Sequence, residues 1–516
     1  MRRCPASPLR HRRTLFLLAS CWPGLVLCWA GLAAADDGYV SVTNTAIGEY
    51  RSDNQNGEDD DDNYGIMLDR LNVNGGYKDI SAFTRVDATR FFEPPTESFA
   101  NQLRLERIGG TYVLDDWTIE LGDFYNQYGQ GLVLSVRKLD EAGIDIAIRG
   151  AHLRYEGDQH TLDAFAGVAN AANMDAISQH SVEDVNDILS GFNYELAPSE
   201  SVKVGFYGLY NQPEERILDT RDYTLNSGLY IDFPGLAEWL VLYMEYAVQQ
   251  RVLAESPQAG SAAYVNTELR WGDFSISNET MLLNEFEQKG SRNTALDSRF
   301  DYSRPPTLER LDQEVLNNRD VMGTRFRVEY YFFDWDLLLF LNSMYRINDW
   351  AEESELHQFH GFIGGELNFD EGTSRLTSMT GYRHEQQWGA TEPFKTIVHF
   401  DVDYLQYLGG DFSLHLTSNT WYRWFADINF LQGSTFLGIE KSGLGGATFE
   451  LGYDTFDPTP GVRNVFYAGI FTWEVSESIR LSSTIGNQRG GIKCIAGVCR
   501  EYPAFSGVKG ALITRF

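Results

Sequence analysis

Apolar and polar residues alternate along nearly the whole chain from about residue 39 onward. Leu240, Leu242, Met244, Tyr246 and Val248 share one face of an extended segment, with Glu245 and Gln249 on the other. Thr324, Phe326, Val328, Tyr330 and Phe332 oppose Arg325, Arg327 and Glu329, and Ala263, Val265, Thr267, Leu269 and Trp271 oppose Tyr264, Asn266, Glu268 and Arg270. A period of two predicts β-strands with one face in an apolar medium. Each stretch runs about ten residues, the length of a tilted strand crossing a bilayer. The charges on the second face need water or partners, which places that face on a wet lumen.

The connections alternate in length. Tight turns fall at 156–158, 197–199, 272–273, 334–336, 370–372, 409–411 and 476–478, with long polar loops near 171–183, 211–224, 285–320, 349–357, 385–393 and 487–503. Short turns at one end and long loops at the other are the habit of outer-membrane barrels. The expected fold is all-β: an antiparallel up-and-down transmembrane barrel of about 24 strands (range 20–26) over residues 36–516, the first strand near 39–50 and the last at 504–516. A soluble propeller or solenoid would also alternate, but it would show a fixed internal repeat, and the chain has none.

Residues 1–35 read as an export signal. Arg2, Arg3, Arg10, Arg12 and Arg13 precede a mostly apolar run, Leu15 to Leu32, and Ala33-Ala34-Ala35 supplies the small residues of a cleavage site. Leu18-Ala19-Ser20-Cys21 looks like a lipoprotein box, but apolar sequence continues well past it. The chain of 516 residues has 42 Lys+Arg against 73 Asp+Glu, net -31; losing the five signal arginines makes it -36. This excess of carboxylate excludes a nucleic-acid binder. Mean hydropathy of -0.31, with no long apolar run beyond the N-terminus, excludes a helical membrane protein. After cleavage only Cys494 and Cys499 remain, and two close cysteines in an exported chain are expected to form a disulfide.

Two regions carry a resemblance. Ala504 to Phe516 places Val508, Leu512 and Phe516 on one face and Lys509 and Arg515 on the other. It resembles the C-terminal strand of bacterial outer-membrane barrels, whose final Phe is read by the barrel-insertion machinery; Thr514 stands where an aromatic is common. Residues 121–150, LGDFYNQYGQGLVLSVRKLDEAGIDIAIRG, together with Gly486-Asn487-Gln488-Arg489-Gly490-Gly491 and Cys494 to Cys499, resemble a functionally uncharacterised family of outer-membrane barrels. The resemblance implies a barrel in the outer membrane, in contact with its lipids, and implies no reaction.

Within the first block, Gly129, Gly131 and Gly143 permit tight or positive-φ backbone, and Leu132-Val133-Leu134 is an apolar run unusual for a loop facing water. The expectation is that 125–145 folds inward onto the barrel wall. Arg137, Lys138, Asp140 and Glu141, with Asp145, would then form a charged constriction; a plain external hairpin with a solvated tip is the alternative. The 285–320 segment is expected to be a long external loop.

Enzyme chemistry finds little support. G-x-S-x-G, H-E-x-x-H, P-loop and C-x-x-C-H motifs are absent from the sequence. His357 and His360 fall on opposite strand faces. His415 and Thr417 share a face with Ser413 and Asn419, which suits a lumen-lining polar ladder better than a lipid-facing hydrolase. Glu58-Asp59-Asp60-Asp61-Asp62 could gather hard cations, yet its spacing fits a solvated charge run better than a metal site. No cofactor and no metal is expected. Two function classes stay open: a porin-like channel for small solutes or ions, favouring cations, or a scaffold or export barrel whose lumen is filled by a periplasmic or lipoprotein partner.

Overall fold

The computed structural model describes residues 38–53, 62–94, 96, 99–139, 144–174, 182–214, 222–253, 256–293, 298–309, 319–350, 355–425, 428–456, 463–495, 498–502 and 504–516. The export signal (1–35), Asp140 and Glu141 lie outside these, as do the side chains of Cys494 and Cys499. The protein is a closed 24-strand antiparallel β-barrel. Its first strand, Gly38–Arg51, pairs with its last, Phe505–Arg515, in the register Thr43↔Arg515 to Arg51↔Gly507. Backbone bonds of 2.9 Å in both directions between Val42 and Phe516 complete the seal. Among the described residues the only helix is the 3-10 turn Phe333–Trp335.

The dyad pattern orients every strand. On Leu240–Leu253, Tyr243, Glu245, Ala247, Gln249 and Arg251 are buried on the lumen side, while Tyr246 and Val248 stand out on the exterior. On Val321–Phe332, Arg325 points in and Phe326 and Tyr330 point out. Exterior apolar side chains such as Leu229, Leu341, Ile363, Phe400 and Leu437 form a belt around the cylinder. An exposed apolar surface of that extent requires lipid rather than water. Tight turns join strand pairs at one end, several through left-handed residues such as Lys78, Asp115, Asp336 and Asp411. At that end Trp239 stacks on Trp271, with Trp335 and Trp473 also exposed, as in an interfacial aromatic girdle.

Glycine and aromatic residues meet across neighbouring strands. Tyr207 is paired in register with Gly228, and Tyr230 with Gly205. A Cβ at either glycine would strike the facing tyrosine ring. The missing side chain lets each ring lie flat on the next strand, which covers the glycine backbone and fixes the register.

Candidate functional site

The lumen is the candidate site, and the chain itself fills much of one side. The strand Trp117–Phe124 is short, and after Phe124 the chain turns into the barrel. Tyr128, Leu132, Val133, Leu134 and Val136 are at most 2% exposed and belong to one core with Phe165, Leu189, Leu209 and Met344 of the inner wall. Gly129 sits at φ 50 against the Glu245 carboxylate, leaving no room for a side chain. Glu245 anchors this segment: it accepts hydrogen bonds from the Gln130 backbone N–H at 2.8 Å and from the Tyr207 and Tyr243 hydroxyls at 2.7 Å each. Tyrosine rings 128, 207, 230, 243 and 264 then run in a row around the wall, neighbouring centroids 6.0 to 6.4 Å apart.

The second inward segment comes from the long connection that the sequence suggests is an external loop. Its described residues, 285–293 and 298–309, turn back into the barrel because Phe286, Phe300, Tyr302 and Leu308 are apolar enough to pack on the same core. The two segments are laced together, Ser135 N–H to Tyr302 O at 2.8 Å and Arg304 N–H to Gly131 O at 2.9 Å. Asp187, fully buried, accepts from the Ser291 backbone N–H and hydroxyl, from the Tyr302 hydroxyl at 2.6 Å and from the Glu214 N–H at 2.8 Å. Burial, and then the Asp187 charge, push the Tyr302 phenol far above its ordinary range, so it stays a hydrogen-bond donor. Wall amides read the backbone of the segment: Asn211 Nδ2 to Lys289 O at 3.1 Å and Gln249 Nε2 to Glu287 O at 2.9 Å.

Glu309 carries the segment to the far wall. Its carboxylate lies 2.9 Å from His360 Nδ1, His360 Nε2 lies 3.0 Å from His399 Nε2, and His399 Nδ1 lies 2.6 Å from Asp401. Sequence reasoning missed this row: its members are spread over two strands and a loop, and only the fold aligns them. His357, on the opposite face from His360, instead stacks on Trp388 outside. His415 and Thr417 do face the lumen, but Asp403 and Thr417 both approach the same His415 nitrogen, at 3.1 and 3.2 Å, so no acid–base–nucleophile relay is formed.

Of the expected constriction residues, Arg137 and Lys138 are exposed at the end of the first inward segment. Asp145 is the register partner of Lys138, and its half-buried carboxylate is salt-bridged to Arg85 at 2.8 Å and Arg107 at 2.9 Å. Burial lowers the Arg304 guanidinium from its ordinary range, Asp301 opposing this and Arg137 adding to it. Among the described residues no group of three or more His, Cys, Asp or Glu is arranged to hold a metal ion. The wetted lumen charges are mostly paired: Lys509 with Glu49 at 3.8 Å, Arg375 with Asp403 at 3.7 Å, and Lys203 with Glu195 at 3.9 Å.

Residues 452–516 match a family of unknown function, DUF6029. No curated protein matches the chain. Among solved structures, the P pilus tip assembly intermediate PapC-PapD-PapK-PapG of E. coli is 9% identical at a TM-score of 0.50, covering 93% of this chain and 61% of that one. The siderophore receptor PirA of Pseudomonas aeruginosa is 9% identical at TM-score 0.47, covering 92% and 80%. OpdQ of the same organism is 13% identical at TM-score 0.40, covering 68% and 95%. At these identities the likeness is one of fold.

Proposed function

We propose that the protein is an outer-membrane channel for small solutes or ions, a barrel too wide to be selective unaided and narrowed by its own two inward segments. The observation that carries this reading is the plug: apolar side chains of 128–136 and of Phe286, Phe300, Tyr302 and Leu308 close one side of the lumen, while the wetted wall opposite stays polar and charged. A 24-strand cylinder exceeds the 16–18 strands of an ordinary porin and needs such filling. Arg137 and Lys138, with Asp140 and Glu141, are the candidate constriction, since they follow directly on the buried run. Net charge of -36 after signal removal favours cations by concentrating them at the mouth. Phe516 serves as the insertion signal, exposed on the lipid side of a strand that closes the barrel. Cys494 and Cys499 are opposite each other in the register of the hairpin Gly491–Ile495 and Val498–Tyr502, which supports a cross-strand disulfide.

Planar-bilayer recording of the purified protein tests the reading. Steady current with a cation-favouring reversal potential is expected. Silence with a tightly co-purifying envelope protein would replace the channel with a scaffold or export barrel.

A further inference from the structure

A carboxylate interrupts the apolar exterior. On Tyr64–Tyr77, Leu68 is buried on the lumen side and Met67 is exposed to lipid, so Asp69 shares the outer face with Met67, Leu71 and Val73. Its register partners on the two neighbouring strands, Ala46 and Ala88, lie on that same face. Tyr50 and Tyr77, both exposed, mark the two ends of the outer face, and Asp69 lies between them at the depth of hydrocarbon. An ionisable side chain there is costly and marks a functional position by default. Arg70, its chain neighbour, points into the lumen and pairs with Asp87 instead. Asn44 donates its side-chain amide to Asp69 at 2.6 Å, and Asn44 is in turn the register partner of Thr514 on the closing strand. A strip of carboxylate, amide and hydroxyl thus crosses the barrel closure on its lipid side.

The surface around this strip is hollow. Gly48 and Gly510 are register partners, and Gly510 also faces Ser483. A Cβ at Gly48 would meet nothing within 4 Å, and one at Gly510 nothing closer than 3.9 Å. Neither glycine is therefore required by packing within the chain. Beyond Ala88 the surface rises again, because its register partner Leu103 is 74% exposed. Small residues let another backbone approach closely within the membrane, and polar groups deprived of water hold it there.

We infer that two copies of the chain meet at this face, side by side about a twofold axis along the membrane normal, each Asp69 accepting from the second copy's Asn44 amide. The occupant follows from complementarity. A body that reaches Asp69 must itself span the membrane, and it must bring a hydrogen-bond donor to that depth. Asn44 and Asp69 are 2.6 Å apart, so a copy inserted in the same orientation presents its donor at the depth of the acceptor. The Asn44 amide has two N–H groups and spends one on its own Asp69, while a carboxylate has room for several donors. Twofold pairing uses both surpluses at once, with the two amides lying between the two carboxylates, and it needs the same patch on both sides. Only the barrel and its lipid face are needed here, not conduction, so failure of the channel reading leaves the pairing intact.

Cross-linking and step counting test the pairing. In a Cys494→Ser, Cys499→Ser background, Ala46→Cys with Ala88→Cys puts thiols on either side of Asp69. Within one chain they are two strands apart, about 10 Å, too far for a disulfide. Across the twofold axis, position 46 of one copy faces position 88 of the other. Oxidation in lipid vesicles is expected to give a covalent dimer, whereas Ala263→Cys, on the outer face of Ser256–Trp271 at the far side of the barrel, should give none. Single-molecule photobleaching of protein labelled at Glu477→Cys, in the turn after Val465–Ser476, should show two steps at low protein-to-lipid ratio. Asp69→Leu should weaken dimerisation at least about tenfold, as for loss of a charge-assisted contact. Gly48→Leu fills the hollow, leaves the acid in place and should act in the same direction, which keeps the test open if Asp69→Leu fails to assemble; heat-modifiable mobility reports assembly of each variant. Single steps without a cross-link, dimers indifferent to both substitutions, or cross-linking in whole outer membranes only to a different polypeptide would each overturn the pairing. Conductance of the same vesicles reports on the channel separately.

Discussion

At the residue scale the plug hangs on a few buried acceptors. Glu245 takes three donors that water cannot reach, and Glu245→Ala would leave the Tyr207 and Tyr243 hydroxyls and the Gln130 N–H without it. An abandoned buried donor costs ~1–3 kcal/mol, so the first inward segment should detach from the wall while the barrel, held by backbone ladders, persists. The expected outcome is a larger single-channel conductance with unchanged heat-modifiable mobility on a denaturing gel. An unchanged conductance would mean that the segment does not bound the open path. The sequence made half of this contact legible. Gly129, Gly131 and Leu132-Val133-Leu134 stand out because glycines and an apolar run are out of place in a solvated loop. Glu245 does not stand out, since a carboxylate on the lumen face is ordinary, and only the folded loop shows what it holds. The second segment was opaque for a related reason: Phe286, Phe300, Tyr302 and Leu308 are scattered among charges at no fixed period, so nothing local distinguishes a lining from a lid.

At the element scale, alternation is sufficient to place strands because every stave has the same job, one face to lipid and one to the lumen. The first and last strands, the tight turns and the closure are accordingly all visible in the chain. The end of a strand at Phe124 is legible too, but the register shift between Arg85 and Val86 is not, because it departs from the pattern over a single residue. Staves of this kind depend on the glycine–tyrosine fits between them. Gly228→Val forces a branched side chain into the Tyr207 ring, and overpacking of a formed core costs ~1–3 kcal/mol. Folding from urea into detergent micelles should slow and the midpoint fall, whereas Gly235→Val, where a Cβ meets nothing, should leave the midpoint nearly unchanged.

At the scale of the whole molecule the question is where the acidic excess acts. On the lumen wall Lys509, Arg375 and Lys203 are each paired with a carboxylate, while residues 53–62 contribute Asp53, Glu58 and Asp59 to Asp62 without a basic residue among them. Charge carried on loops at the mouth reaches an ion only across a Debye length, about 30 Å at 0.01 M salt and about 3 Å at 1 M. Charge on a constriction lies within contact distance of the ion at either concentration. A cation preference produced by the loops should therefore be strong at 10 mM KCl and nearly vanish at 1 M, and replacing Glu58 and Asp59 to Asp62 by Ser and Asn should reduce it at low salt. Reversal potentials across matched KCl gradients at the two concentrations measure this directly. A preference that survives 1 M salt and the loop substitutions would return the selectivity to the constriction, where Asp140→Asn with Glu141→Gln should then abolish it while Arg137→Gln should strengthen it.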